Sequence, residues 1–167
     1  MDSTKDSKKK SPITVSLNTL KPGDLIFAGV VISKADTCTY PGSQTSKDID
    51  SGTSIKHPCV VLEGGTDSVE VAYFTTFKES RRLPKHFKDI DLYWYPVDPA
   101  PQQGRLKPLP ERENKKAQWV SLRKRHTITA QSVRKFVETL PNSSVNNIIS
   151  QMRASLNVRH LKRTQLS

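Results

Sequence analysis

The sequence lacks the features that mark membrane and secreted proteins. No apolar run approaches the 18 or so residues that a spanning helix needs, and the charged N-terminus does not resemble a secretory signal. There are two cysteines, Cys38 and Cys59, with neither metal-ligand spacing nor a dense disulfide framework around them. We interpret both as reduced thiols of an intracellular protein, cytoplasmic or nuclear, that does not associate with membranes.

Sequence signatures of metal and cofactor chemistry are also missing. The chain contains no Gly-rich phosphate-binding loop and no nucleophile elbow. Asp89 and Asp91 are close in sequence, but no set of His, Asp and Glu has metal-ligand spacing. The sequence therefore predicts neither a metal nor a cofactor.

Acidic residues are scarce in the last two fifths of the chain. Residues 1–100 carry 13 Lys/Arg and 13 Asp/Glu, whereas residues 101–167 carry 14 Lys/Arg and 3 Asp/Glu. The whole net charge of +11 is therefore C-terminal. Such a field suits RNA, DNA or an acidic protein partner; the alternative is a solvated basic tail that aids solubility.

Short β-rich runs separated by turn residues predict a mainly β fold. The predicted strands are residues 13–20, 25–32, 59–62, 69–74, 92–97 and 118–122. Gly64 to Asp67 (GGTD) predicts a hairpin between the third and fourth of them. The predicted organisation is a disordered basic tail at residues 1–12, one barrel domain at 13–140 with a proline-rich, extended insertion at about 98–113, and a basic C-terminal helix and tail at 141–167.

Two C-terminal helices are predicted from apolar spacing. Thr129 is a good N-cap for the first, in which Val133, Phe136, Val137 and Leu140 fall at helical spacing. The second follows Pro141, and its apolar stripe consists of Val145, Ile148, Ile149, Met152 and Leu156. We interpret both stripes as packing against the barrel, or against a partner in the case of the second.

The candidate chemistry lies around residues 55–91. His57 enters one predicted strand, and Thr75 and Thr76 leave the next, so that these side chains can meet at one end of the sheet. The polar stretch 33–54 leads directly to His57 and is a plausible cover for the site. The structural alternatives are a histidine and threonines that merely end strands, and core packing rather than base stacking for Tyr93, Trp94 and Tyr95.

Four segments resemble, in order, the MazF/PemK family of toxin endoribonucleases. Residues 21–26 (KPGDLI) resemble its opening "G-D-I" strand, and residues 57–62 (HPCVVL) its "R-P-x-L-V-I" strand. Residues 71–86 resemble the strand ending in Thr that is followed eight residues later by "L-P-x-H". Residues 118–133 resemble the late strand with "R-T-I". Together these segments span roughly residues 21–140.

The resemblance implies a small SH3-like barrel with a C-terminal helix. It also implies a toxin-like, metal-independent endoribonuclease that is a homodimer and is inhibited by a small acidic antitoxin. The family's catalytic pair is an Arg and a Thr or Ser. The threonine corresponds to Thr75, whereas His57 stands where the family has its arginine. His126 likewise replaces the Arg of the late motif.

In such enzymes the 2′-hydroxyl of RNA attacks the adjacent phosphorus. We predict that His57 transfers the proton, that Thr75 binds a phosphate oxygen, and that basic residues stabilise the developing charge. The predicted RNA-binding residues are Lys56, Thr76, Arg81, Arg82, Lys85, Arg123, Arg125 and His126. The alternative is a non-catalytic barrel that binds nucleic acid or an acidic protein.

Overall fold

The computed structural model describes residues 11–33, 36, 47, 51–77, 83, 87 and 90–165. The described residues form a mainly β fold of eight strands, a 3-10 turn at Leu17–Thr19, a four-residue helix α1 (Ile90–Tyr93) and a long C-terminal helix α2 (Asn142–Gln165). The strands are β1 (Ile13–Ser16), β2 (Asp24–Val30), β3 (Ile55–Glu63), β4 (Val69–Thr75), β5 (Trp94–Val97), β6 (Gln118–Ser121), β7 (His126–Ile128) and β8 (Ser132–Thr139).

All strand pairs in this sheet are antiparallel. The order is β1-β8-β2-β3-β4-β6-β5, and β7 also pairs with β4. The hairpin predicted at Gly64 to Asp67 is present and joins β3 to β4. On one edge, β4 pairs with two different strands along its length: Val71 is opposite His126 of β7, whereas Phe74 is opposite Val120 of β6. β4 is therefore the strand that brings residues of four elements together.

The central strands are buried on both faces, which explains why they read as continuous apolar runs. One face contributes Cys59, Val61 and Tyr73 to a core that also contains Trp94 and Trp119. The other face builds a second core together with α2 and the segment before β6; its strand members are Leu25, Val60, Leu62, Ala72, Phe74, Tyr95, Val97 and Val120. A side chain near the end of β3 or β4 thus has a defined face and a defined neighbourhood.

The helix predicted to begin at Thr129 is wrong. Residues 132–139 form strand β8, which pairs with β1 and β2 at once, so that Lys135 is opposite both Ile13 and Ile26. Val133 is buried as the helical pattern requires, but Val137 is 51% exposed. The β-branched Val133, Val137 and Thr139 favour a strand, and β1 and β2 need this partner for their backbone hydrogen bonds.

The helix predicted after Pro141 is present as α2, a single helix. Val145, Ile148 and Met152 are buried in the second core, whereas Leu156 is 56% exposed, so the packed stripe ends one turn earlier than predicted. Helix α2 contains no acidic residue. Among the described residues, no helix is both long and apolar enough to cross a membrane.

The proline-rich segment before β6 is packed rather than freely extended. Its Leu106 and Leu109 are buried in the second core, and Leu109 exchanges backbone hydrogen bonds with Pro96 and Asp98 at the end of β5. Arg112 follows and is only 5% exposed. Because proline has no amide donor, a proline-rich segment is poorly suited to pair as a strand. Its leucine side chains can still pack over a core.

Gly23 holds the turn into β2 in a conformation that other residues avoid. Its φ is +94°, and an added Cβ would lie 2.5 Å from the backbone oxygen of Leu140. We expect Gly23→Ala to lower the free energy of unfolding by about 2 kcal/mol or more, because strain and a backbone clash combine. Gly52→Ala is the matched control: its φ is also positive, at +71°, but nothing lies within 4 Å. Urea unfolding of both variants measures the difference, and equal losses would contradict the clash.

Candidate functional site

The strand register brings the two predicted catalytic residues to one end of the sheet. Cys59 of β3 is opposite Tyr73 of β4. By strand alternation His57 lies on the same face of β3 as Cys59, and Thr75 on the same face of β4 as Tyr73. The ring of His57 lies against β4, with its Nδ1 3.2 Å from the backbone oxygen of Phe74.

That contact defines the protonation of the His57 ring. A carbonyl oxygen can only accept, so Nδ1 carries the hydrogen and donates it to Phe74, which leaves the lone pair on Nε2. Burial lowers the pKa of His57 below its ordinary value of 6.5, although the bond to Phe74 opposes the shift. His57 is therefore neutral at pH 7, with Nε2 able to accept a proton.

Tyr73 lies between His57 and a second histidine. Its ring centroid is 5.3 Å from that of His57 and 5.5 Å from that of His126. His126 reaches this face because β7 pairs with β4. Burial, reinforced by the charge of Lys124, lowers the pKa of His126 to about 4. His126 is thus also unprotonated at pH 7 and has no proton to give as a general acid.

Asp36 occupies the same cluster from the segment between β2 and β3. Its side chain is buried, and three donors converge on its carboxylate. The Tyr73 hydroxyl donates at 3.1 Å, the Ser121 hydroxyl at 3.4 Å and the Arg123 Nε at 2.7 Å. Burial, followed by the charge of Asp36, raises the pKa of Tyr73, so its hydroxyl remains a donor.

Arg123 also connects the cluster to the C-terminal helix. Its guanidinium lies over the ring of Tyr93, with its central carbon 4.1 Å from the centroid, and Arg159 of α2 approaches the same ring at 5.4 Å. Arg159 further donates a hydrogen bond of 3.0 Å to the backbone oxygen of Arg123. The ring of Tyr93 is thus covered by two arginines, while Trp94 and Tyr95 are buried, in agreement with core packing rather than base stacking.

Thr75 and Thr76 are half-buried where β4 ends. The Thr75 hydroxyl accepts a long hydrogen bond of 3.5 Å from the amide of Phe77, whose φ is 46°. Because the Thr75 hydroxyl only accepts in this weak contact, its own hydrogen remains available to donate. Thr75 can therefore bond a phosphate oxygen without first breaking a strong contact.

The other predicted RNA-binding residues are dispersed. Lys56 is exposed but, by strand alternation, points to the opposite side of β3 from His57. Arg125 bonds Glu63 at 3.1 Å and Glu70 at 2.7 Å. Glu63 is six residues along β3 from His57, about 20 Å at the usual strand rise, so the structure does not bring Arg125 to the site. Arg81, Arg82 and Lys85 lie outside the described residues.

Sequence reasoning missed Asp36, Tyr73 and Ser121. Tyr73 and Ser121 belong to predicted strands, where alternation alone identifies them with the core. Asp36 is 37 residues from Tyr73 and 85 from Ser121, so no local pattern could have joined them. The one usable signal was the length of the polar segment 33–54 before His57.

A separate cavity of about 400 Å³ lies near the other end of the β3–β4 hairpin. It is bordered by the 3-10 turn, the hairpin loop and the loop between β7 and β8, and Asp67 is the only charged residue that lines it. Among the predicted site residues that the structure describes, none lines this cavity. The chemistry of the His57 cluster, rather than cavity size, therefore identifies the candidate site.

Within the described part of the chain, no group of three or more His, Cys, Asp or Glu side chains is arranged to hold a metal ion. No protein-family model matches the chain, and no curated protein matches it. The function is therefore argued from the site itself.

The two depressed histidine pKa values predict a pH-dependent stability. Unfolded histidine titrates near 6.5, whereas folded His126 titrates near 4 and folded His57 below 6.5. As the pH falls from 7 towards 5, the unfolded state takes up protons first, so the folded state loses stability. The slope is at most about 1.4 kcal/mol per pH unit for each histidine. Urea unfolding at pH 7, 6 and 5 measures it, and His126→Gln should flatten the dependence; an unchanged slope in this variant would refute the assignment.

Proposed function

We propose that this chain is a toxin-like, metal-independent endoribonuclease built on a divergent SH3-like barrel of the MazF/PemK type. The ordered motif resemblance and the antiparallel sheet with its C-terminal helix support the barrel proposal. One observation carries the activity: the ring of a neutral His57, with the Nε2 lone pair available, contacts the backbone oxygen of Phe74, the residue that precedes Thr75 at the end of β4. A base beside a phosphate-binding hydroxyl is what cleavage by the 2′-hydroxyl requires.

In the proposed reaction, Nε2 of His57 removes the proton of a ribose 2′-hydroxyl. The O2′ then forms a bond to the adjacent phosphorus, and the bond from phosphorus to O5′ breaks with its electron pair. O5′ takes a proton from solvent, because the neutral His126 has none to give, and His57 then returns the proton of the 2′-hydroxyl to solvent. The products are a 2′,3′-cyclic phosphate and a 5′-hydroxyl, and DNA, which lacks the 2′-hydroxyl, is not cleaved.

The two residues of the proposed centre have distinct roles. His57 is the base, and Thr75 donates a hydrogen bond to a non-bridging phosphate oxygen. The family's arginine would have supplied a positive charge at the position of His57. In this chain that charge must come from another residue. Among the described residues we assign it to Arg123, because its guanidinium and the Tyr73 hydroxyl both donate to the carboxylate of Asp36. The proposed RNA substrate also agrees with the basic C-terminal part of the sequence.

A non-catalytic barrel that binds nucleic acid or an acidic protein is the second candidate. It is favoured by the state of the two arginines that precede β7, Arg123 and Arg125. Arg123 is paired with Asp36, and Arg125 with Glu63 and Glu70, so neither guanidinium is an unpaired catalytic cation. A homodimer, and an acidic inhibitor that covers the RNA surface, belong to the first proposal and rest on the family resemblance.

Incubation of the purified protein with a long RNA of mixed sequence, in EDTA, tests the proposal. Discrete fragments that end in 2′,3′-cyclic phosphate, with a DNA of the same sequence left intact, are the expected result. Intact RNA that is retarded on a native gel would refute cleavage and support the binding module. RNA that is neither cut nor retarded would leave an acidic protein as the partner to seek.

A further inference from the structure

The three donors around Asp36 form a site whose chemistry suits a phosphate group. We propose that Tyr73, Ser121 and Arg123 bind a phosphate of the RNA, and that the carboxylate of Asp36 occupies this position in the free protein. The inference rests on the proposed function only in naming RNA as the source of the phosphate. The donors and their present occupant follow from the structure alone.

The donors around Asp36 are of the kind that an anion requires. Two neutral hydroxyls and one guanidinium point at a single carboxylate, at 3.1, 3.4 and 2.7 Å. Tyr73 and Ser121 are each 1% exposed, so their positions are determined by packing. A phosphate oxygen, like a carboxylate oxygen, carries negative charge and only accepts hydrogen bonds. Packed donors of this kind can hold either anion with little rearrangement.

The site can be reached, and it adjoins the proposed centre. The Arg123 side chain is 23% exposed, whereas that of Asp36 is 2% exposed, so the site borders solvent on the side of Arg123. The ring that carries the Tyr73 hydroxyl is in contact with the rings of both His57 and His126. A phosphate bound here would belong to a nucleotide next to the one that His57 attacks or to the reacting phosphate itself. Both positions would place RNA at the half-buried side chains of His57 and His126, whose rings contact Tyr73.

Occupation by Asp36 makes the site self-inhibited. A carboxylate that belongs to the same chain has a high effective concentration, so external phosphate competes poorly with it. When RNA binds, Arg123 must exchange Asp36 for phosphate, and the cost of that exchange weakens binding. Removal of the carboxylate should therefore strengthen phosphate binding, whereas a purely structural ion pair predicts lower stability with no such gain.

Titration with inorganic phosphate, followed by calorimetry, tests the site without any need for cleavage. We expect Asp36→Ala to bind phosphate at least tenfold more tightly than the wild type. The gain should disappear when Arg123→Ala is added. Asp67→Ala is the matched control, because it also removes one carboxylate but lies on the exposed hairpin, away from the cluster. Equal affinity in the Asp36 and Asp67 variants, or a gain that survives Arg123→Ala, would overturn the proposal.

A second variant and a second probe complete the test. Asp36→Asn keeps the size of the side chain but removes its charge, so it should show a smaller gain of the same kind. If both Asp36 variants fail to fold, Asp36 is a structural anchor and the proposal is wrong. An RNA oligonucleotide with 2′-O-methyl groups cannot be cleaved by its own 2′-oxygen, and it should also bind the Asp36→Ala variant at least tenfold more tightly. Phosphate binding that improves while this RNA does not would refute RNA as the source, whether or not the protein cleaves RNA.

Discussion

Replacing His57 with asparagine is expected to reduce single-turnover cleavage of RNA by at least about 10²-fold, the usual effect of losing a general base. Asparagine can place an amide donor near the position of Nδ1, so the hydrogen bond to the backbone oxygen of Phe74 is retained. It has no group that takes a proton at neutral pH. The variant therefore separates the base from the structural contact.

RNA binding provides the internal check on this variant. Since His57 is neutral, its replacement removes no charge, and the affinity for uncleavable RNA should stay within about twofold. His160→Asn is the matched control, because His160 is an exposed histidine of the C-terminal helix, and it should cleave RNA at the wild-type rate. Full activity in His57→Asn would exclude His57 as the base and leave cleavage, if observed, to other residues.

Replacing Arg112 with alanine is expected to lower the free energy of unfolding by about 3 kcal/mol, as for other broken buried ion pairs. Arg112 donates to Gln118 at 3.0 Å and to Glu138 of β8 at 3.4 Å, and its guanidinium lies over the ring of Phe74 at 5.0 Å. The alanine variant leaves a buried amide oxygen and a mostly buried carboxylate without this partner. It also loosens the segment that covers the second core.

Urea unfolding of Arg112→Ala beside Arg105→Ala measures this contribution. Arg105 belongs to the same proline-rich segment but is exposed, so its replacement should change stability by less than about 0.5 kcal/mol. Glu138→Gln should lose part of the same energy, and the double variant should cost less than the two losses added together. Equal stability of the Arg112 and Arg105 variants would show that the ion pair contributes nothing net.

The strands could be predicted where local chemistry and tertiary environment agree. Apart from Glu70, residues 59–62 and 69–74 are β-branched, aromatic or apolar; Gly64 and Gly65 separate the two runs, and the structure buries these apolar residues on both faces. Residues 132–139 could not be predicted in this way. Their apolar residues fit the period of a helix as well as that of a strand. The pairing that decides between helix and strand involves β1, more than a hundred residues away.

Only the part of the candidate site that lies on strands joined by one hairpin could be predicted from the sequence. His57 and Thr75 could be joined because one hairpin connects their strands, so a short loop determines the register. Asp36, Ser121 and Arg123 meet through contacts across the whole sheet. The sequence identifies Arg123 as a cation. It does not show that the guanidinium is already paired with the carboxylate of Asp36.

The pH dependence of single-turnover RNA cleavage tests the central claim most directly. The account predicts a rate constant that is independent of pH above about 6.5, the ordinary histidine pKa, and falls tenfold per pH unit below the lowered pKa of His57. The residual cleavage by the His57→Asn variant should not show this fall in rate constant as the pH decreases. A rate that rises with pH without a plateau, or the same profile in both proteins, would contradict His57 as the base. RNA that stays intact at every pH would contradict the enzyme itself.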